Sequence, residues 1–510
     1  MKKILGIELG SARIKAVLID ESAQVIAQGS HEWENKLENG YWTYSLEDVW
    51  AGLQASFADL VKNFGEPITN LDSIGISAMM HGYLAFDKND NLLVPFRTWR
   101  NTTTAKAAAE LTEALGFNMP QRWSGSHFYQ AVLDKEPHVS EVTFLTTLAG
   151  YVHWMLTGEK ALGIGDAAGM VPILGDDYDM DKIAIFNSLL KKNGVDKDLY
   201  TLLPRVVVAG GDCGALTEKG ALLLDPTGAL KAGCPLCPPE GDAGTGMVAT
   251  NAVKVRTGNV SAGTSAFAMV VLEKPLSKVN ESIDVVATPS GAPVAMVHAN
   301  NFTSEINAWA SLFHEVIALA GGEINKGKLF DALYEISAKS DSDVGGLVGY
   351  NFLSGEPIVG MDRGIPMVAR REGGKLTLAN FMQMQLYSAL GAMSIGMEIL
   401  AEENVQIEDI CGHGGFFKTP FIGANAMSAA LGAPITTMKN AGEGGAWGVA
   451  VLALYRIANN CTLEEFLDKI FAGAEKETVV ANSEEKAKFA EFMKSYKAGL
   501  AVEKLATEVL

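Results

Sequence analysis

The stretch that decides the fold is Ile4-Leu5-Gly6-Ile7-Glu8-Leu9-Gly10-Ser11-Ala12-Arg13-Ile14-Lys15-Ala16-Val17-Leu18-Ile19. Residues 4–9 and 14–19 are two β-rich apolar runs joined at Gly10-Ser11, which reads as a hairpin. A small-residue turn of this kind lets backbone N–H groups converge on an anionic oxygen with no Cβ in the way. Further along, Ser45-Leu46-Glu47-Asp48 opens a helix in capping-box fashion, and Val49, Leu53, Phe57, Leu60, Val61 and Phe64 share its apolar face. Gly65-Glu66-Pro67 ends it. Ile74-Gly75-Ile76 is the next strand, leading to Met79-Met80-His81-Gly82, and residues 83–86 resume the β pattern. Strands interleaved with helices make this an α/β chain.

The second half repeats the theme. Residues 253–271 read as strand, Gly258-Asn259 turn and strand, and Gly263-Thr264-Ser265 forms a second Gly-hydroxyl turn before an apolar run. The match with Gly10-Ser11 is one of context, and it implies two similarly built domains. Helices follow at 304–319 and, rich in Met, at 382–403. A short strand leads to Cys411, Gly412-His413-Gly414-Gly415 turns into a helical stretch, and Ala441-Gly442-Glu443-Gly444-Gly445 precedes an apolar helix at 446–457. The last fifty residues read as two capped helices starting at Thr462 and Asn482, a docked helical tail. The expected division is 1–248, 249–460 and a tail, 461–510.

Composition narrows the partners. The 510 residues hold 60 Asp plus Glu against 41 Lys plus Arg, a formal net charge of −19, with 48% hydrophobic residues. Such a chain buries a large core and repels nucleic acid and anionic lipid, since no basic cluster offsets its charge. Five cysteines form no disulfide framework and fit a reduced, cytoplasmic setting. The apolar run at residues 4–7 is too short for a signal peptide, and no run of about 18 apolar residues suggests a membrane span.

Four Gly-rich stretches could cradle phosphate: Gly10-Ser11, residues 241–246, Gly263-Thr264-Ser265 and residues 412–415. An ordinary tight turn accounts for any one of them alone. Neither a Walker motif nor a strand-to-helix Gly-x-Gly-x-x-Gly is present. Asp242, between Gly241 and Ala243-Gly244, is a carboxylate set where it can point at a ligand that the backbone approaches closely, suited to act as a base in phosphoryl transfer. Its competing role is an Asp that bonds its own turn. Glu8 offers one of the carboxylates that nucleotide-bound Mg²⁺ takes, or else it is a strand-edge acid facing solvent. Met80-His81 falls at a strand's C-terminal end, where α/β sheets bind ligands. Trp99-Arg100-Asn101 offers an apolar wall and polar groups to a polyol. Cys234-Pro235-Leu236-Cys237 has zinc-like spacing but no second pair.

Taken in order, Gly6-Ile7-Glu8-Leu9-Gly10-Ser11, Met80-His81-Gly82, Leu156-Thr157-Gly158-Glu159, Gly241-Asp242, Gly263-Thr264-Ser265, Phe352-Leu353-Ser354-Gly355-Glu356, Gly414-Gly415 and Glu443-Gly444-Gly445-Ala446 resemble the FGGY carbohydrate kinases of the actin-like ATPase superfamily, over roughly residues 1–457. The resemblance implies two ribonuclease-H-like domains flanking a central cleft, a sugar and ATP with Mg²⁺ as the small-molecule partners, and a homodimer as the expected assembly. It implies Asp242 as catalytic base, Met80, His81, Trp99, Arg100 and Asn101 on the sugar, and Glu8 on Mg²⁺. Gly10, Ser11, Gly263, Thr264 and Ser265 would hold phosphate, with Gly414, Gly415 and Lys418 on the nucleotide side. The Met-His pair is that of xylulokinase-type members, whereas glycerol kinases carry Arg-Glu there, so a ketopentose such as xylulose is the implied acceptor, ahead of ribulose or a ketohexose. An actin- or chaperone-like conformational protein is the alternative outside sugar kinases. Three departures mark this chain: Glu8 replaces the family Asp, Trp99-Arg100-Asn101-Thr102-Thr103 lacks the Asp and Arg of the family's Trp-x-Asp-x-Arg, and Cys234-Pro235-Leu236-Cys237-Pro238-Pro239 precedes Asp242 with no function assigned to it.

Overall fold

The structure, a computed structural model, describes residues 1–438, 444–458 and 460–510. It divides into two compact units that interleave in sequence. One comprises Met1–Lys254, Lys274–Val294 and Ala441–Gly473, the other Val255–Glu273, Ala295–Asn440 and Ala474–Leu510.

In the first unit, β1 (Ile4–Leu9) pairs antiparallel with β2 (Arg13–Ile19), which pairs with β3 (Val25–Glu32). On its other side β1 lies parallel to β4 (Ser73–Ala78), and β4 lies parallel to the two-residue β5 (Glu240–Gly241). The order is therefore β5-β4-β1-β2-β3. Strand alternation assigns the faces. Leu5, Ile7 and Leu9 enter a core with Val49, Leu53, Phe57 and Leu60 of the helix Leu46–Phe64, whose cap Ser45 accepts the Asp48 N–H and whose end is the left-handed Gly65. Gly6 and Glu8 face the opposite way, toward the helix Gly444–Ala458, and a Cβ on Gly6 would collide with the Ala446 carbonyl.

The second unit repeats the plan. β6 (Thr257–Ala262) pairs antiparallel with β7 (Ala266–Val271) and parallel with β9 (Asp409–His413), β8 (Pro293–Ala299) lies beside β7, and β10 (Ile435–Met438) lies parallel to β9. Both sheets thus place a hairpin's first strand parallel to a strand from later in the chain. The repeat inferred from two Gly-hydroxyl turns is a repeat of sheet topology.

Three local readings are corrected. Gly258-Asn259 is no turn but lies inside β6, bonded on both sides, and Gly258 is needed because a Cβ there would strike the Met269 carbonyl of β7. The run 241–246 is the start of a helix, Asp242–Ala249, rather than a Gly-rich turn, and Gly448 of the helix Gly444–Ala458 lets that helix close on the Thr245 backbone. The C-terminal segment has its two helices, Leu463–Ile470 with a full capping box and Ser483–Val509, but between them β11 (Lys476–Val479) pairs with β10. The Cys-Pro-Leu-Cys run gains an account: Ile74 donates to the Pro235 carbonyl and accepts from Cys237, so the run edges β4 with both thiols buried and free. Ala441, Gly442 and Glu443 lie outside the described residues.

Candidate active site

In the first unit the C-terminal ends of three adjacent parallel strands converge. β1 ends in Glu8, Leu9 and Gly10-Ser11, β4 continues into Met79-Met80-His81, and β5 delivers Asp242. This is where open α/β sheets collect ligands. Asp242 Oδ1 accepts two backbone N–H groups, from Met80 at 3.2 Å and from its own helix at Ala243, 3.0 Å. The carboxyl also takes its own backbone N–H, and no other described residue donates to Oδ2. Although the residue keeps a solvent-exposed face, desolvation raises the carboxyl from 3.8 to about 6, against the lowering effect of those N–H groups.

His81 is 4% exposed and holds φ +67, a left-handed conformation that a non-glycine residue adopts at a cost. Its Nδ1 lies 3.0 Å from the Gly169 carbonyl oxygen. A carbonyl only accepts, so Nδ1 carries the proton and Nε2 presents a lone pair. Burial holds the imidazole's pKa down at about 3, which keeps it neutral. Its ring stacks on Trp123, with centroids 5.9 Å apart.

Glu8 is not the solvent-facing edge acid that its sequence position allowed. Its carboxyl sits at the N-terminus of the helix Gly444–Ala458, takes the Ala446 N–H, and is raised to about 7 by burial and then by the Asp242 charge. The Gly10-Ser11 turn is held by three aromatic side chains: Trp33 Nε1 donates to the Gly10 carbonyl at 2.7 Å, the Tyr44 hydroxyl to the Ser11 carbonyl at 2.5 Å, and Trp99 Nε1 to Ser11 Oγ at 3.2 Å. With Oγ accepting from Trp99, the Ser11 O–H is free to donate outward. Trp99 therefore reaches the turn, but its two neighbours do other work. Asn101 is buried and its amide is used up on Trp42 and Thr98 backbone, and exposed Arg100 stacks on Trp42 at 4.0 Å.

Two acids here escaped sequence reasoning. Glu240 accepts the N–H groups of Gly165 (3.3 Å) and Asp166 (3.0 Å), and Asp166 Oδ2 accepts the Thr147 hydroxyl at 2.6 Å. Burial raises Asp166 to about 7, with Asp242 adding to it, and Glu240 to about 8, with Asp166 adding to it. The only sequence cue was an acid directly before Gly241-Asp242, opposite a Gly-x-Gly at 163 and 165.

In the second unit Gly263 and Thr264 stand exposed at the β6–β7 turn, tied down by Thr303 Oγ1 to the Gly263 carbonyl (2.6 Å) and by the Phe302 N–H to the Thr264 carbonyl (2.9 Å). Ser265 closes the turn, its carbonyl accepting the Gly263 N–H at 2.9 Å. Gly414, at φ +110, abuts the Ala262 carbonyl, where a Cβ would clash, so its loop lies beside this turn. Gly415 has open space where a Cβ would project, and Lys418 is exposed.

The sequence profile of the FGGY family of carbohydrate kinases matches residues 3–243 with its N-terminal domain and 258–457 with its C-terminal domain. The chain belongs to that family. It is a sugar kinase, using ATP with Mg²⁺ as the phosphoryl donor. As an FGGY kinase it resembles the xylulose kinase of Haemophilus influenzae, 21% identical over 86% of this chain and 91% of the relative. The xylulose kinase of Lactococcus lactis is 29% identical over 33% of this chain and 36% of the relative, so that match spans about a third of either protein. Among solved structures, a xylulose kinase and a gluconate kinase from Lactobacillus acidophilus each superpose at TM-score 0.80, with 17% and 18% identity and 98% of both chains covered.

The donor set fits this FGGY cofactor. Glu8 and Asp242 are two carboxylates near enough to raise the proton affinity of Glu8, a pairing that a dication relieves. No group of three His, Cys, Asp or Glu suited to a metal occurs among the described residues. A magnesium ion that keeps most of its water and takes phosphate oxygens needs only one or two carboxylates. No helix among the described residues is long and apolar enough to cross a membrane.

Proposed function

We propose that this FGGY kinase phosphorylates a terminal hydroxyl of a ketopentose, xylulose first among them, with Asp242 as general base. The observation that carries the reading is the asymmetry of Asp242, with Oδ1 held by the Met80 and Ala243 N–H groups and no other described residue donating to Oδ2. A carboxylate fixed on one oxygen keeps the other aimed. The attacking hydroxyl gives its proton to Oδ2 as its oxygen bonds the γ-phosphorus, the bond to the β-phosphate breaks, and ADP leaves. His81 Nε2 accepts a second sugar hydroxyl, Met80 packs against the carbon chain, and Trp99 sets the Ser11 hydroxyl toward phosphate. Glu8 would hold Mg²⁺, which when bound would supply charge shielding to the phosphates. In the second unit Gly263, Thr264 and Ser265 bind phosphate, while Gly414, Gly415 and Lys418 line the nucleotide side. The free thiols of the described cysteines suit a cytoplasmic enzyme.

The test is ADP release over xylulose, ribulose, ketohexoses, glycerol, gluconate and no sugar, with Asp242→Asn as control. Gluconate is in the panel because the gluconate kinase superposes as well as the xylulose kinase does. Release that is independent of sugar and unaffected by Asp242→Asn defeats the reading. Turnover of ribulose or gluconate without xylulose replaces only the substrate.

A further inference from the structure

Residues 163–169 form a buried bend that meets the site at two places. At its start, the Glu240 carboxyl takes the Gly165 and Asp166 N–H groups, one on each oxygen. Glycines at 163 and 165 make the room: a Cβ on Gly165 would lie 2.5 Å from Glu240 Oε2, and one on Gly163 would overlap Oε1. At its end, the Gly169 carbonyl receives the His81 Nδ1 proton, and the Gly169 N–H is itself held by the Asp166 carbonyl at 2.9 Å. Glu240 lies on β5, two residues before Asp242, and is 1% exposed.

We infer that Glu240 is a positioning residue for sugar recognition: it locks residues 163–169 in place so that the Gly169 carbonyl fixes His81 in the tautomer whose Nε2 accepts a substrate hydroxyl. The inference rests on the reading of His81 as a sugar contact. Two facing glycines at which any side chain meets this one carboxyl are the signature of a fitted lock, since a carboxyl buried to this degree is costly without dedicated partners. Locking the bend matters because the imidazole is neutral. A neutral ring released from Gly169 can move its proton to Nε2, turning an acceptor into a donor and leaving a hydroxyl's proton unsatisfied.

The test joins a spectroscopic and a kinetic readout on the full chain. Glu240→Gln keeps the shape but can accept on one atom only, so its NH₂ faces an N–H. The ¹⁵N shifts of His81 are expected to change from a single Nδ1–H tautomer to a mixture. Sugar KM is expected to rise about tenfold, the scale of one lost hydrogen bond to a buried group, with ATP KM unchanged. Gly165→Ala reaches the same contact from the other side, leaves Glu240 intact, and is expected to act alike. In a Glu240→Ala background, Gly165→Ala is expected to add less than half its effect, because the atoms it strikes are gone. Unchanged His81 shifts and sugar KM in both single variants overturn the inference, as does a full Gly165→Ala effect in the Glu240→Ala background. Loss of the sugar-contact reading shows separately, as a His81→Ala enzyme with wild-type sugar KM.

Discussion

Asp242 Oδ1 accepts the backbone N–H of Met80 at 3.2 Å. The bond runs from the residue after β5 to the second residue after the end of β4, so the proposed base is tied to the main chain of a proposed sugar contact. A main-chain anchor survives any change of the Met80 side chain, which leaves specificity free to vary while the base stays aimed.

Asp242→Asn is expected to lower kcat by about 10²- to 10⁴-fold, the range for a general base, with sugar KM changed little. Asparagine keeps the Oδ1 acceptor for Met80 and Ala243 and lacks a charge that burial disfavours above about pH 6, so the protein should fold and melt no lower than the wild type. A variant within a factor of three of wild-type kcat removes Asp242 from the chemistry.

The pH profile follows from the same group. A base works only when deprotonated, and burial lifts this carboxyl to about 6. Wild-type kcat/KM is therefore expected to fall about tenfold per unit on the acid side of that value and to level off above it. An acid limb that begins near 4 would mean a base with an ordinary carboxyl, and Asp242 would be displaced from the role.

How much of this was legible in the sequence depends on whether a residue acts through its neighbours in the chain. The Gly10-Ser11 hairpin, the Ser45-capped helix and the Met80-His81 strand end were readable because period, caps and turn residues are local. Gly258-Asn259 misled because a turn dipeptide and a strand glycine forced by a close neighbouring strand look alike until that strand is known. Glu240 and Asp166 were invisible for the same reason: their partners are 74 and 19 residues away. Asn101 looked like a sugar ligand, and only the fold shows its amide already used by Trp42.

Trp99→Phe deletes one donor and keeps the aromatic wall. Without the indole N–H at Ser11 Oγ, the Ser11 hydroxyl loses the contact that turns its proton outward. ATP KM is expected to rise about two- to tenfold, matching about 0.5–1.5 kcal/mol for one hydrogen bond, while sugar KM moves less. Equal rises in both KM values would instead assign Trp99 to the sugar.

Glu8→Gln tests the metal reading. The amide still sits at the helix N-terminus beside Ala446, but it is a neutral ligand where a charged one stood. The Mg²⁺ concentration for half-maximal rate is expected to rise at least about tenfold, with sugar KM unaffected. An unchanged Mg²⁺ requirement would leave Glu8 as a helix cap only.

Asp166→Asn tests the cost of the buried acids. Its carboxyl is raised from 3.8 to about 7 because burial penalises the charge. A folded-state pKa above the unfolded one stabilises fully below about 4, and that contribution is lost as pH rises through 7. Above pH 7 the wild type carries a charge that folding disfavours, and asparagine does not. The Thr147 hydroxyl can still donate to the asparagine oxygen. The variant is thus expected to melt close to wild type at pH 4 and higher than wild type at pH 8, by about 2–4 kcal/mol in unfolding free energy at the three-unit shift. Calorimetry at both pH values decides it: a stability difference that does not grow with pH would mean that Asp166 stays charged in the folded protein, stabilised by its neighbours.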